Sequence, residues 1–238
     1  MMRRQPVYLV CSPHPRVGTS TTARLLADYH VVEKRPFATF DTDPHERVLA
    51  TFFPAETTVA DLSVTRGQIA LFDRLLVPTP EVRIVDIWTR SYRQFFAQAS
   101  DIGFFEEAER LELQPIVLFM TNGSFDAVDA ADEIARTWPE LPMIVVSNEG
   151  AAPLGEAVHD HLASFPTDRN FQIPELDPIM RRHIENPNFS LSRFLLYPPG
   201  DMSLVVRADL RTWLRSVFAQ FHSYHLRNAL EGTRYLLK

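Results

Sequence analysis

The feature that most limits what this chain can fold into is a repeated type of short segment. "PVYLV", "IVLFM" and "MIVVS" are apolar on both faces and show no alternation of apolar and polar residues. Strands read this way when helices cover a parallel sheet on each side. Candidate strands are Val7–Ser12, Phe37–Asp41, Val82–Ile87, Ile116–Met120, Met143–Ser147 and Phe171–Ile173. Helical spacing occupies Ser20–Tyr29, Val59–Leu76, Tyr92–Arg110, Phe125–Trp138 and Gly155–Phe165. Asn122 or Ser124 is placed to cap the fourth helix, and Asp101 to start a break in the third. Alternation of this kind predicts an α/β fold: a doubly wound, mostly parallel sheet of about six to seven strands with helices on both faces.

The last third reads differently. "NPNFSLSRFLLYPPGDM" is proline-rich and is expected to break regular structure. Beyond it, Val206, Leu210, Trp213, Leu214, Val217, Phe218 and Phe221 repeat at helical spacing, which predicts an amphipathic helix packed on the sheet. The expectation is one domain over 1–238 with a C-terminal helical segment at 203–238.

Bulk properties fit that expectation. The chain has 238 residues, 45% hydrophobic and 23% charged, ordinary for one globular α/β domain. No apolar run approaches the about 20 residues that span a bilayer. The opening "MMRRQPVYLVCSPHPR" has too short an apolar run for a secretory signal and reads as a first core strand. Cys11 is the only cysteine, so no internal disulfide forms, which suits a cytoplasmic location. The net charge of −6 makes no general case for nucleic-acid binding. Residues 203–238, however, carry six Arg/Lys against two Asp/Glu. Arg207, Arg211 and Arg215 recur every four residues and share a helix face, with Arg227 further on. Such a face either contacts DNA, an anionic membrane or an acidic partner, or is simply a solvated helix surface.

The stretch "CSPHPRVGTSTTARLLADY" follows the first candidate strand and opens a helix. In open parallel sheets, ligands bind at the carboxyl ends of strands. A helix start there offers free amides and a partial positive charge to an anion. Gly18 permits a turn that other residues resist, and Ser20 either holds Mg²⁺ or caps the helix. Pro13 and Pro15 supply no N–H, and Thr19 stands where a phosphate-binding loop has its lysine. A hydrogen bond to a charged group contributes about 1.5–3 kcal/mol, so phosphate binding is weaker by about 10- to 100-fold. Arg16 is the nearest cation of fixed charge and the available substitute.

With these residues the chain resembles the ParA/MinD family of deviant Walker A ATPases, whose loop reads K-G-G-V-G-K-[ST]-[ST]. Here it reads His14, Pro15, Arg16, Val17, Gly18, Thr19, Ser20, Thr21, so the family's two lysines fall on His14 and Thr19. "FATFDTDPHE" is similar to the second strand and its D-x-D-P segment, placing Asp41 and Asp43 as switch I carboxylates. "VRIVDIW" is similar to the Walker B strand, with Asp86 on Mg²⁺ through water and Ile87–Trp88 in place of the usual proline or glycine. "MIVVSN" ends in Asn148 at the base-reading asparagine, and "FQIPELDP" puts Pro174 beside the adenine pocket. The resemblance spans about Val7–Pro178. It implies ATP or ADP with Mg²⁺ as cofactor. Val17, Gly18, Thr19, Ser20, Thr21, Asn148 and Pro174 would contact nucleotide, and Ser20, Asp41 and Asp86 the metal.

Other constellations point to structure. His159 and His161 flank Asp160 at a spacing that separates them on a helix, and His222 and His225 lack further ligands nearby in sequence. Phe95, Phe96, Phe104 and Phe105 suit a core, with a partner surface as the alternative. Three functions follow as expectations. The first is a ParA/MinD-like protein with a degenerate nucleotide site. It works through protein partners, as a homodimer in one version, in positioning, partitioning or assembling a cargo. The second is an active ATPase in which Arg16 replaces the lysine and Asp43 polarises the attacking water. The third is a DNA or membrane-surface binder acting through the basic C-terminal helix.

Overall fold

The computed structural model describes residues 4–151 and 170–234, with side chains to residue 228. The helix expected at Gly155–Phe165, with His159, Asp160 and His161, lies outside the described residues. Seven strands form one sheet: β1 (Gln5–Cys11), β2 (Phe37–Asp41), β3 (Thr57–Val59), β4 (Val82–Asp86), β5 (Leu113–Thr121), β6 (Met143–Asn148) and β7 (Asn170–Ile173). Their order is β3-β2-β4-β1-β5-β6-β7, and every pairing is parallel. β1 is central, with Leu9 opposite Val85 on one side and Val117 on the other. The doubly wound α/β fold is therefore present.

Side chains of β1 alternate between two cores. Tyr8 and Val10 enter the layer that contains α1 (Thr19–Val32) and α2 (Val48–Phe52). Val7, Leu9 and Cys11 enter the layer of α3 (Thr65–Leu76), α4 (Tyr92–Asp101), α5 (Phe104–Arg110) and α6 (Phe125–Thr137). Cys11 is fully buried, and burial pushes its thiol far up, so it is an inert core residue. The first layer is completed by α7 (Pro178–Glu185), α8 (Leu191–Leu196) and the long α9 (Leu204–Arg234). The expected amphipathic residues Leu210, Trp213, Leu214, Val217, Phe218 and Phe221 are all buried there.

Two expectations need correction, and a third holds. The helix placed at Val59–Leu76 begins only at Thr65, because β-branched Thr57, Thr58 and Val59 pair with β2 as a strand. The helical stretch Tyr92–Arg110 does break after Asp101, and α5 restarts at Phe104 beyond Gly103, whose φ of +65° is left-handed. The proline-rich stretch is not irregular throughout. It contains α8, capped by Ser190, whose hydroxyl accepts from the Arg193 amide at 3.2 Å. Ser124, rather than Asn122, caps α6 through the Ala127 amide at 3.2 Å.

A buried ion pair ties α1 to the late helices. Arg24 donates to the Ile184 carbonyl and, at 2.7 Å, to the Phe189 carbonyl. Its guanidinium also stacks 3.4 Å above the Phe52 ring. Asp28, 3.7 Å from Arg24, accepts from the Ser192 amide at 3.1 Å. Burial pushes Asp28 up to about 6 against the pull of Arg24.

Candidate functional site

The site gathers at the carboxyl ends of β1, β2, β4 and β6. β1 ends at Cys11, and α1 starts after a turn in which Arg16 has φ +62° and Gly18 has φ +96°. Among the described residues no side chain caps α1. The amides of Gly18, Thr19, Ser20 and Thr21 bond to no acceptor among the described residues. These amides are the orphan donors of a helix start, and they attract anions.

Gly18 is required on two grounds. Its φ is left-handed, and a Cβ there would lie 2.4 Å from Asn148 Nδ2. That Nδ2 donates to the Val17 carbonyl at 3.1 Å, while Asn148 Oδ1 accepts from the Gly150 amide at 3.2 Å. Asn148, at the end of β6, is thus a clamp on the turn. On the other side, Thr89 Oγ1 donates to the His14 carbonyl at 3.2 Å, and the His14 ring meets Ser124 Oγ at 3.3 Å. These two contacts join residues 75 and 110 positions apart, and no local pattern announces them.

Asp86 closes β4 and is 3% exposed. Among the described residues its Oδ1 has no hydrogen-bond partner. Burial pushes its carboxyl up to about 7; Ser20's hydroxyl opposes the rise, while Asp41 and Asp43 add to it. The structure therefore brings Ser20, Asp41, Asp43 and Asp86 into one electrostatic neighbourhood. Their states differ. Asp41 is committed to its own turn, with Oδ1 accepting from the Asp43 amide and Oδ2 from the Leu49 amide, each at 3.0 Å. Asp43 Oδ1 accepts from the amides of His45 at 2.8 Å and Glu46 at 3.2 Å. Of the three carboxylates, only Asp86 has a fully buried oxygen without a partner among the described residues.

Thr42 is a functional neighbour that the sequence reading missed. Its hydroxyl donates to the Asp86 carbonyl at 3.1 Å and accepts from the Trp88 amide at 2.7 Å, fixing the chain after Asp86. The only signal was its place between Asp41 and Asp43. Pro174 follows β7, and its carbonyl accepts from Trp213 Nε1 at 2.8 Å. Arg16 is exposed at the turn.

No family model and no curated protein matches this chain. A hydrated divalent cation fits Ser20 and Asp86, because the orphan oxygen and the raised carboxyl both seek a positive charge. Among the described residues no group of three or more His, Cys, Asp or Glu is arranged to hold a metal. A site of this type leaves much of the coordination shell to water and phosphate. A phosphate fits the open amides of Gly18 to Thr21, without an ammonium at Thr19.

The basic C-terminal face is less free than its spacing predicts. Arg207 donates to the carbonyls of Met202 at 2.7 Å and Gly200 at 3.2 Å, bracing the turn before α9. Arg215 is exposed and Arg211 half-buried. Among the described residues, no helix is long and apolar enough to cross a membrane.

Proposed function

We propose that this chain is a ParA/MinD-like protein with a degenerate nucleotide site, acting through protein partners in positioning, partitioning or assembly of a cargo. The observation that carries the reading is the pairing of an uncapped α1 start with the idle Asp86 oxygen beside Ser20, in a turn without lysine. Ser20 and Asp86 would hold Mg²⁺, and the amides from Gly18 to Thr21 would hold phosphate, so ATP or ADP with Mg²⁺ is the proposed ligand. When bound, that group supplies charge that orders the turn. Asn148 and Thr89 then pass the ordering to β6 and to the residues before α4.

Binding is favoured over hydrolysis. Phosphoryl transfer depends on fixed positive charge at the transferring group. Thr19 offers none, and His14 stands where the family has its other lysine. The active-ATPase reading needs Arg16, with Asp43 orienting water, but one Asp43 oxygen already accepts two amides. Protein partners, a homodimer, cytoplasmic residence and contact with DNA or an anionic membrane through Arg211 and Arg215 belong to this proposal as further expectations.

Isothermal titration with ATP–Mg²⁺ tests the reading. The expected result is weak binding, abolished by Ser20→Ala, with no phosphate release. Steady ATP turnover that Arg16→Ala abolishes would replace this reading with the ATPase. Full retention of binding in Ser20→Ala and Asp86→Ala would remove it.

A further inference from the structure

A groove of about 1050 Å³ runs between α4 and α6 on the face opposite α1. In a layer of this kind adjacent helices normally pack 8–10 Å apart and leave no such space. Its floor is aromatic and aliphatic: Tyr92, Phe96 and Ile134, each at most 8% exposed, and half-buried Trp138. Phe96 and Trp138 rings pack with centroids 5.6 Å apart, so the two helices meet beneath the groove.

The two walls have opposite charge. Arg90 and Arg93 rise on the α4 side, three residues apart and both exposed. Asp126, Asp129 and Glu133 rise on the α6 side, spaced by three and four, and all are exposed on one helical stripe, with a single cation, Arg136, at its far end. Among the described residues no ion pair joins one wall to the other. The α4 wall is therefore net basic and the α6 wall net acidic toward whatever lies between them.

We propose that this groove is the docking site for an amphipathic helix of a partner protein. The helix would lay an apolar stripe on Ala97, Ala130 and Trp138, set Lys or Arg against Asp126, Asp129 and Glu133, and set Asp or Glu against Arg90 and Arg93. Helix-in-groove recognition uses anchors at this spacing, and α6, with 13 residues, gives a seat for about three turns. Charge fixes the direction in which the helix enters, because reversal would set like charges together. Pro13 and His14 line one end of the groove, so the seated helix touches the turn before α1. This partner site rests on the reading that the chain works by protein binding.

The test uses the full chain and a labelled three-turn helical peptide with a leucine stripe, two lysines on one flank and two glutamates on the other. Fluorescence anisotropy reads binding. The expected result is micromolar affinity that falls about tenfold or more in the double variant Asp129→Lys, Glu133→Lys, and returns with a peptide carrying glutamates on both flanks. Ala97→Trp, which fills the groove from the α4 side, abolishes binding of both peptides. Nucleotide titration of the same variants stays at the wild-type value, so failure here and failure of the nucleotide reading are separable. No binding by either peptide, or equal binding to the native and charge-reversed chains, overturns the proposal. So does a dimer that Ala97→Trp dissociates, which assigns the groove to a second copy.

Discussion

Asn148 and Gly18 meet across the top of the sheet: the asparagine's Nδ2 stands 2.4 Å from the point where a Cβ on residue 18 would be. Gly18→Ala therefore meets both a left-handed φ and a steric clash. The expected loss is about 2–4 kcal/mol in denaturant melts. Combining it with Asn148→Ala removes the clash and recovers part of the loss. A double variant no better than Gly18→Ala would mean that Asn148 does not constrain the turn.

Asp86 gives a pH signature. Its folded pKa of about 7 lies above the ordinary 3.8, so the folded state disfavours the ionised form. The resulting cost is absent below the unfolded value, grows between the two, and is complete above about 7. Asp86→Asn should gain on the wild type by roughly 2–4 kcal/mol between pH 4 and pH 8. Mg²⁺ affinity of the wild type should rise over the upper part of the same range. A pH-independent difference between the two proteins would contradict the burial of this carboxyl.

His30 has the opposite sign. It is fully buried, both ring nitrogens lack partners among the described residues, and burial lowers it to about 3, with His225 and Arg35 adding to the effect. Stability is complete above the ordinary 6.5 and falls as pH drops toward the folded value. The slope should approach about 1.4 kcal/mol per pH unit below 6, and His30→Phe should flatten it. Chemical denaturation across pH 4–7 measures this, and an unchanged slope in the variant assigns it elsewhere.

Restoring the missing ammonium tests the phosphate reading directly. Thr19→Lys should raise ATP–Mg²⁺ affinity by about 10- to 100-fold, because a charged hydrogen bond contributes about 1.5–3 kcal/mol. The same change should leave affinity for adenosine unaltered. Equal affinity for ATP before and after the change would place phosphate somewhere other than the α1 start.

The fold was legible where burial is symmetrical. Val7–Cys11, Ile116–Met120 and Met143–Val146 are covered on both faces, and continuous apolar runs record that directly. β3 escaped notice because Thr57, Thr58 and Val59 are only half-buried and too few to show a period. α8 escaped because flanking prolines and asparagines outweighed a single cap at Ser190. At the site, Gly18, Ser20 and Asp86 were readable from the ends of apolar runs. The clamps on His14 and Val17 were not, since contacts between distant positions leave no trace in local spacing.

The long helix α9 carries one last consequence. Leu210, Leu214, Val217 and Phe221 seal the sheet face on which Tyr8 and Val10 lie, yet they leave the ribosome after every strand from β1 to β7. The nascent chain therefore carries a bare oily flank from the time the sheet is made until this helix follows. Its demand for chaperone cover should ease only when that lid arrives.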